Sequence, residues 1–376
     1  MIKKKRNLLF ITLMVMLVGC SSSQISLGDS SAPISSEDIP TTYENPVWEP
    51  VLADPSIIRG DDGTFYAFGT QDNAEWGDYY GTRYIPILTS PDLVNWTYAD
   101  QVFRQVNMPT WGTLGAGLWA PDIVKIGETY TLYYSLSTWG DPNPGIGVAT
   151  ADHPLGPWTD HGKLFDSNSI GVGNSIDPAV IVDAQTDRVY MVWGSFIGIY
   201  GVELTSDGLA LKDGENANNT KVLLAGIDNG RWDIMNYEGA YIIKIEDYYY
   251  MFLSTGTCCE GHNSSYRVVV SRATAIMGPY VDRVGNFMAN TSGKGTPVIS
   301  GNYDFVGVGH NSVIVDDAGD YWLVYHGFDL DQPARYGTTN RRSLLIDKLV
   351  WTNDDWPYVQ EYGASTSASL PTINPQ

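Results

Sequence analysis

Along the chain after residue 45, short runs of β-branched and aromatic residues alternate with clusters of Gly, Asp, Asn and Pro. Runs of this length between turn residues predict β-strands. No convincing helical stretch follows the first 19 residues. The pattern therefore predicts an all-β protein.

One unit of this pattern occurs five times. Each copy has an apolar strand, a turn usually rich in Asp and Gly, and a second strand rich in aromatic residues. The copies are DPSIIRGDDGTFYAFGT from Asp54, APDIVKIGETYTLYYS from Ala120, DPAVIVDAQTDRVYMVWGS from Asp177, EGAYIIKIEDYYYMFLS from Glu238 and HNSVIVDDAGDYWLVYH from His310. Five copies of an antiparallel unit predict a five-bladed β-propeller whose first strands are innermost and face the axis.

When the copies are aligned, their opening position holds mostly ionisable residues: Asp54, Ala120, Asp177, Glu238 and His310. Equivalent positions of a propeller converge at one end of the central channel, so these side chains are expected to share one pocket. A lone Asp-Pro can simply be a turn that begins a strand, but turn chemistry does not explain a Glu or a His in the same column. Clustered acids shift one another's pKa values, which lets one carboxyl stay protonated while another stays charged.

The first 19 residues have the features of a secretory signal. A positive segment, residues 3–6, precedes an apolar segment, residues 8–18, that is too short to span a bilayer. The segment ends in LVGC, which resembles the lipobox of bacterial lipoproteins, so Cys20 is expected to be lipidated; an ordinary cleaved signal is the alternative. Residues 20–43 are Ser-rich and are expected to form a disordered tether before a propeller domain at 44–376. This organisation predicts a protein anchored by lipid in a bacterial cell envelope, periplasmic or at the cell surface.

Charge and composition narrow the partners. The net charge is −21, which would repel nucleic acid and anionic lipid headgroups and favours a neutral partner. The 24 Tyr and 12 Trp suit sheet packing or stacking on sugar rings. Besides Cys20, only Cys258 and Cys259 are present, and as adjacent residues they are expected to be two thiols. We expect a monomer.

Two carboxyls that flank a bond, one acid and one base, are the minimum equipment of a glycosidase. The ordered motifs ADPSII, NSIDPAVIV and YEGAYII, with LWAPDIV, VWGSF, STGTCCEG and GVGHNSVIVDDAGDYWLVYH, resemble glycoside hydrolase family 43 in its arabinanase branch, over the whole chain after residue 45. The resemblance implies that Asp54 is the general base, Glu238 the general acid, and Asp177 the residue that orients Glu238 and raises its pKa. It also implies inversion at the anomeric carbon, for which acid and base stand about 6.5–9.5 Å apart.

The resemblance implies further roles around this trio. His310 lies where the family places a metal ion on the propeller axis, so one calcium ion is expected there, held by His310 and water molecules. A structural histidine bonded to a backbone carbonyl is the alternative. Trp119, Asn174, Ser195 and Phe196 border the central motifs and are expected to contact substrate, although Trp119 can equally be a core residue.

The expected substrate is α-1,5-linked L-arabinan, cut internally. An exo-acting α-L-arabinofuranosidase or a β-xylosidase of the same family stays open, because Ile197 stands where arabinanases commonly have an aromatic residue and the aromatic stretch 71–86 can wall one end of the cleft. A surface lipoprotein that binds glycans without cleaving them is a third alternative. Such a protein would have no need of an acid, a base and a third carboxyl.

Overall fold

The computed structural model describes residues 40–75, 81–228 and 232–374. The chain divides into two units, Met1–Pro40 and Thr41–Gln376. The expected signal peptide, Cys20 and almost all of the tether lie outside the described residues. Thr42 and Tyr43, which the sequence assigned to the tether, instead begin strand β1 (Thr42–Glu44), and the Tyr43 side chain is buried. None of the helices in the described ranges is long and apolar enough to cross a membrane.

Most strands of the second unit form five antiparallel sheets of four strands each. Blade 1 contains β2 (Ser56–Arg59), β3 (Phe65–Phe68), β4 (Tyr84–Ser90) and β5 (Thr97–Phe103). Blade 2 contains β6 (Gly117–Ile126), β7 (Thr129–Ser137), β8 (Gly145–Ala151) and β9 (Thr159–Asp166). Blade 3 contains β10 (Ala179–Asp183), β11 (Arg188–Trp193), β12 (Ile199–Glu203) and β13 (Val222–Ala225).

Blade 4 contains β14 (Glu238–Ile245), β15 (Tyr248–Thr255), β16 (Arg267–Ala273) and β17 (Thr296–Ile299). Blade 5 contains β18 (Phe305–Val315), β19 (Tyr321–Asp329), β22 (Ser343–Trp351) and β23 (Pro357–Val359), with the short hairpin β20 (Arg335–Tyr336) and β21 (Thr339–Asn340) inserted between β19 and β22. This arrangement confirms the five-bladed β-propeller.

Helical structure in the described ranges is confined to single turns. The α-helical turns are α1 (Ser167–Ile170) and α2 (Ala217–Thr220). Three 3₁₀ turns are present at Gly214–Asn216, Gly261–Asn263 and Gln360–Tyr362.

The hydrophobic core consists of five layers, one between each pair of neighbouring blades. Alternate residues of a second strand face opposite neighbours because side chains of a strand alternate between its two faces. In β15, Tyr249 and Met251 pack toward blade 3, whereas Tyr250 and Phe252 pack toward blade 5. Both faces are therefore buried, which explains why the second strands read as continuous apolar runs.

The first strand of each blade is innermost, as expected, because β2, β6, β10, β14 and β18 contact one another in turn around the axis. Each blade is built from one continuous stretch of chain, so no blade is shared between the two ends. The ring is closed by β1, which pairs with β24 (Ser367–Ser369) beyond blade 5. The following segment runs along β22, where the Leu52 N–H donates to the Arg342 carbonyl over 3.0 Å.

Candidate active site

In each blade the backbone turns sharply at one residue, which lies just before the innermost strand or within it. The residues at this turn have a positive φ: Asp54 (54°), Ala120 (41°), Asp177 (58°), Gly239 (54°) and His310 (48°). Strand pairing gives the same alignment, because Glu238 pairs with Ser254 as Trp119 pairs with Ser135. The prediction that Glu238 occupies this column was therefore wrong by one residue, and Gly239 occupies it instead.

The turn of blade 4 is a glycine, although the other four turns have a positive φ at residues with side chains. A Cβ at Gly239 would lie 3.0 Å from Nδ1 of His310, which packs directly against the backbone there, so this close approach favours glycine at the turn. The carboxylate of blade 4 is consequently carried by the residue before the turn.

Hydrogen bonds join each of these turns to the preceding blade. The N–H groups of Ala120, Asp177 and His310 donate to a hydroxyl near the end of the preceding second strand, and these acceptors are Thr70, Ser135 and Ser254. The Asp54 N–H donates to Nδ1 of His326, at the same place in blade 5, over 3.0 Å. These bonds fix the five turns relative to one another.

Blade 4 departs from this pattern. The Gly239 N–H donates to Oδ2 of Asp177 over 3.3 Å. The hydroxyl of Ser195, near the end of the second strand of blade 3, is free to donate to Oε2 of Glu238 over 2.7 Å. Because the hydrogen-bond pattern changes in blade 4, Asp177 is bonded to the turn that follows Glu238, and Ser195 is bonded to Glu238 itself.

Asp54 is buried beside a guanidinium, a hydroxyl and two imidazole rings. Nη1 of Arg342 donates to Oδ1 over 2.8 Å, and the Thr70 hydroxyl donates to Oδ2 over 2.5 Å. Nδ1 of His310 and Nδ1 of His326 lie 3.3 and 3.4 Å from Oδ1. Burial by itself raises the pKa of Asp54, but Arg342, the histidines and Thr70 outweigh burial and hold the pKa well below its ordinary value. Asp54 is therefore an anion at neutral pH.

Asp177 and Glu238 titrate at the opposite extreme. Burial, followed by the negative charges of Glu238 and Asp54, raises the pKa of Asp177 well above its ordinary value. Burial also raises the pKa of Glu238 to about 7, although the Ser195 hydroxyl opposes the shift. The site thus holds one ionised carboxylate close to two carboxyls that retain protons near neutrality, which is the division that general acid and base chemistry requires.

Glycosyl hydrolases family 43 matches this chain from residue 43 to residue 357. The chain belongs to this family. It is a glycoside hydrolase, and its resemblance to the arabinanase branch is confirmed by the relatives described next.

Two relatives show how similar this family 43 chain is to proteins of known name. The extracellular exo-α-(1→5)-L-arabinofuranosidase ArbA of Cellvibrio japonicus is 33% identical over 323 residues, which are 82% of this chain and 86% of that protein. The extracellular endo-α-(1→5)-L-arabinanase 1 of Bacillus subtilis is 30% identical over 313 residues, 82% of this chain and 87% of that protein.

Solved structures agree with these relatives. The Cellvibrio cellulosa α-L-arabinanase complexed with arabinohexaose superposes with a TM-score of 0.68 at 30% identity, covering 83% of this chain and 96% of that one. The family 43 endo-arabinanase of Bacillus licheniformis gives a TM-score of 0.67 at 29% identity, covering 82% and 98%. Both are matched over nearly their whole length.

The expected substrate-contacting residues of the family 43 chain differ in accessibility. Trp119 is half-buried and its ring lies 5.7 Å from that of Trp139, which is 75% exposed. Phe196 is buried, and its ring lies 4.3 Å from that of the exposed Trp232. Trp139 and Trp232 are thus exposed aromatic rings beside two expected contact residues, and sequence reasoning had not singled them out.

Asn174 and Ser195 are hydrogen-bonded to each other, and Ser195 is also hydrogen-bonded to Glu238. Nδ2 of Asn174 donates to the Ser195 carbonyl over 3.1 Å, so Asn174 fixes the backbone that carries the Ser195 hydroxyl. The Ser195 hydroxyl in turn contacts the carboxyl of Glu238 directly. Ser195 is therefore a neighbour of the acid, whereas Asn174 supports Ser195.

Three further site residues were missed from sequence. Arg342 and Thr70 bind the Asp54 carboxylate. The buried Tyr266 hydroxyl acts on Glu238, whose pKa it lowers, and the Tyr266 ring stacks on that of His326 at 5.8 Å. Thr70 is the last residue of the first repeat and His326 is the last residue of the fifth, so the two occupy the same position in the aligned repeats. This shared position could have identified both residues from sequence. Arg342 lies outside the repeats and carries no such signal.

His310 is the candidate metal ligand. Burial lowers the pKa of His310, so its neutral ring keeps a lone pair. Within the described ranges, no group of three or more His, Cys, Asp or Glu side chains is arranged to hold a metal ion. Both polar atoms of the buried Asn311 side chain, and Nε2 of His326, lack a hydrogen-bond partner there, and orphaned buried groups of this kind usually bind ordered water. An ion at His310 would therefore be held by one histidine and several water molecules, as calcium permits.

Cys258 and Cys259 form a disulfide with each other. The prediction of two thiols was therefore wrong. It relied on the steric cost of linking neighbours, which the loop between β15 and β16 accommodates. The pair is half-buried rather than solvent-exposed.

Proposed function

We propose that this protein is an inverting arabinan endo-1,5-α-L-arabinosidase. The observation that carries the proposal is the pairing of a stabilised anion at Asp54 with a carboxyl at Glu238 whose pKa is raised to about 7. The names of the relatives supply the substrate class, since both describe action on α-(1→5)-L-arabinan or its arabinofuranosyl units.

In this mechanism the chain's own groups move two protons. Asp54 accepts a proton from a water molecule as the water attacks the anomeric carbon. Glu238 donates its proton to the departing glycosidic oxygen, and the Ser195 hydroxyl stabilises the carboxylate that results. Asp177 accepts the Gly239 N–H, which fixes the backbone next to the acid. Attack by water in a single displacement inverts the anomeric centre.

Product size over time decides between endo and exo action. Purified protein is incubated with linear arabinan, branched arabinan, xylan and aryl glycosides, with Asp54→Asn as the inactive control. A mixture of oligomers that appears early from linear arabinan supports internal cutting. Arabinose as the sole early product would assign an exo-arabinofuranosidase, and release of xylose alone from aryl glycosides would refute action on arabinan.

The exo alternative has one structural observation in its favour. The aromatic stretch 71–86 is held at its base by a buried ion pair in which Nη2 of Arg83 contacts Oδ1 of Asp72 over 2.6 Å. Residues 76–80 of this stretch lie outside the described ranges. A stretch anchored at its base beside one end of a cleft would favour release of short products from chain ends.

We also propose that one calcium ion binds at His310. Its positive charge would add to that of Arg342 in keeping Asp54 ionised. Dialysis against a chelator is expected to lower both the activity and the melting temperature, and calcium is expected to restore them. An unchanged melting temperature, together with less than one equivalent of metal by elemental analysis before dialysis, would contradict the calcium site.

We further propose that Cys20 anchors the protein in a bacterial cell envelope and that the Ser-rich residues after it act only as a tether. The word "extracellular" in the names of both relatives supports export. A lipoprotein carries more than one acyl chain, and a single chain would hold it only marginally. Cys20→Ala is expected to release active enzyme from membranes, and an unchanged membrane fraction would refute the anchor.

A further inference from the structure

The disulfide between Cys258 and Cys259 lies in a loop that packs against blade 5. At Gly261 in this loop, an added Cβ would lie only 2.9 Å from Cβ of Ala334. Nδ2 of Asn340 donates to the Cys259 carbonyl over 3.2 Å. The loop therefore contacts the short hairpin formed by β20 and β21 at two points.

This hairpin leads directly to the arginine that binds the general base. The Arg342 N–H donates to the Asn340 carbonyl over 3.0 Å, which ties the two residues together through the backbone. Nη1 of Arg342 then donates to Oδ1 of Asp54 over 2.8 Å. A continuous chain of bonds runs from the disulfide through Asn340 and Arg342 to Asp54.

Arg342 depends on this backbone support because its side chain has little other anchoring. Its Nε is buried and has no hydrogen-bond partner among the described residues. Within the same residues, the side chain of Arg342 donates through Nη1 to Asp54. On the other side of the backbone, the Arg342 carbonyl accepts the Leu52 N–H. A small displacement of the hairpin would consequently move the guanidinium relative to Asp54, and small misplacements in an active site are costly.

A disulfide between neighbouring cysteines closes a small ring that contains the peptide bond between them. Such a ring restricts ψ of Cys258 and φ of Cys259, and thereby limits where the carbonyl group that follows Cys259 can lie. We propose that Cys258, Cys259 and Asn340 are positioning residues for the reaction, and that the intact disulfide holds Arg342 against Asp54 through Asn340. This inference rests on the proposed function of Asp54 as general base.

Reduction of the disulfide tests the inference. Dithiothreitol transfers two electrons and two protons to the S–S bond, which gives two thiols and the cyclic disulfide of the reagent. We expect kcat on linear arabinan to fall about tenfold, or about 1.4 kcal/mol in activation free energy, while KM changes less than about twofold. Alkylation with iodoacetamide and mass spectrometry measure how completely the disulfide is reduced.

The decisive comparison is with Arg342→Ala. If the disulfide acts through Arg342, the variant has a low kcat that dithiothreitol does not lower further, because the coupled steps are not additive. Asn340→Leu removes the bond to the Cys259 carbonyl while the disulfide stays intact, and its kcat should likewise be low and unchanged by dithiothreitol. If reduction unfolds the wild type, the low kcat of oxidised Asn340→Leu still tests the inference. Asn263→Ala, an exposed position in the same loop, is the matched control and should respond to dithiothreitol as the wild type does.

Three results would overturn the inference. They are alkylation of both cysteines without prior reduction, an unchanged kcat after complete reduction, and an equal loss of kcat in the wild type and in Arg342→Ala. Failure of the proposed function is distinguishable, since the oxidised wild type would then not cleave arabinan at all. In that case the same comparison is made with the aryl glycoside that the protein does hydrolyse.

Discussion

Burial acts on Asp54 and on Glu238 in the same direction, yet the two carboxyls reach opposite protonation states. Near Asp54 a guanidinium donates directly to the carboxylate and two imidazole rings face it. Glu238 faces the neutral hydroxyls of Ser195 and Tyr266 and feels Arg342 more weakly, and these together do not offset desolvation. The position of Arg342 therefore decides which carboxyl can act as a base.

Leaving-group dependence separates the two roles. Glu238→Gln is expected to lose most activity on arabinan, whose leaving oxygen needs a proton, and much less on aryl glycosides, whose phenolate leaves without one. Asp54→Asn is expected to fail on both, because no activated water remains. Steady-state rates on the two substrates check this, and the reverse pattern would exchange the acid and the base.

The hydroxyl of Ser195 tunes the acid. Burial raises the pKa of Glu238 to about 7, and the Ser195 hydroxyl lowers it by stabilising the carboxylate. Ser195→Ala should therefore raise this pKa further. A general acid works while it is protonated, so the high-pH limb of the kcat/KM profile should move to higher pH. A limb that stays in place or moves to lower pH would show that another group sets it.

Asp177 is expected to lower the free energy of unfolding at neutral pH. Its pKa is raised well above the ordinary value by burial and by neighbouring carboxyls, so the folded state binds more protons than the unfolded state and stability falls as pH rises through this range. Asp177→Asn should therefore raise the free energy of unfolding at pH 7 by about 1–3 kcal/mol while lowering activity. The gain should vanish at pH 4, and denaturant unfolding at both pH values measures it.

The ionisable ring was predictable from sequence, but its exact register was not. Asp54, Asp177 and His310 were placed correctly because each occupies the turn itself, as the sequence alignment of the repeats assumed. Glu238 was displaced by one residue because the alignment matched residue charge, whereas the turn itself is occupied by Gly239, against which His310 packs. Arg342 was missed because its contact with Asp54 spans 288 residues and has no local pattern.

At the scale of single strands, Asp122 connects three innermost strands. Its carboxylate in β6 accepts the Ser56 hydroxyl from β2 over 2.9 Å and the Val180 N–H from β10 over 2.7 Å. Burial raises the pKa of Asp122 to about 7, although both donors oppose the shift. This side chain joins blades 1, 2 and 3 near the axis.

Loss of this connection should destabilise the propeller. Asp122→Ala leaves two buried donors without an acceptor and is expected to lower the free energy of unfolding by about 2–4 kcal/mol. Asp122→Asn keeps one acceptor oxygen and should lose less. Denaturant titration compares the two variants, and an equal loss in both would contradict a separate contribution from the one acceptor oxygen that Asn retains.

The strands and their order could be predicted from short apolar and aromatic runs separated by turn residues. The second strand of each blade is buried on both faces and therefore forms a continuous apolar run. The closing strand β1 could not be predicted, because its three residues carry no recognisable pattern and its partner β24 is more than 300 residues away. Short strands of this kind are defined by their partners rather than by their own composition.

At the scale of the whole molecule, five continuous blades and a closing pair of terminal strands make a ring whose two ends meet. Thr42 pairs with Ser369, and the Leu370 N–H donates to the Thr41 carbonyl over 3.2 Å. The four residues from 371 to 374 can move the end away by at most about 14 Å. The order in which the blades are synthesised is therefore not dictated by the fold.

A circular permutant makes this independence measurable. A Gly- and Ser-rich linker would join residue 374 to residue 40, and new ends would be opened beside Val106, which is 94% exposed in the connection between blades 1 and 2. The permuted chain should refold with a cooperative transition and cleave the same substrate as the parent. A permutant opened within β15, which is buried on both faces, should not refold. If both permutants failed, the synthesis of blade 1 before blade 2 would be essential, and the closed ring would be the product of one folding order alone.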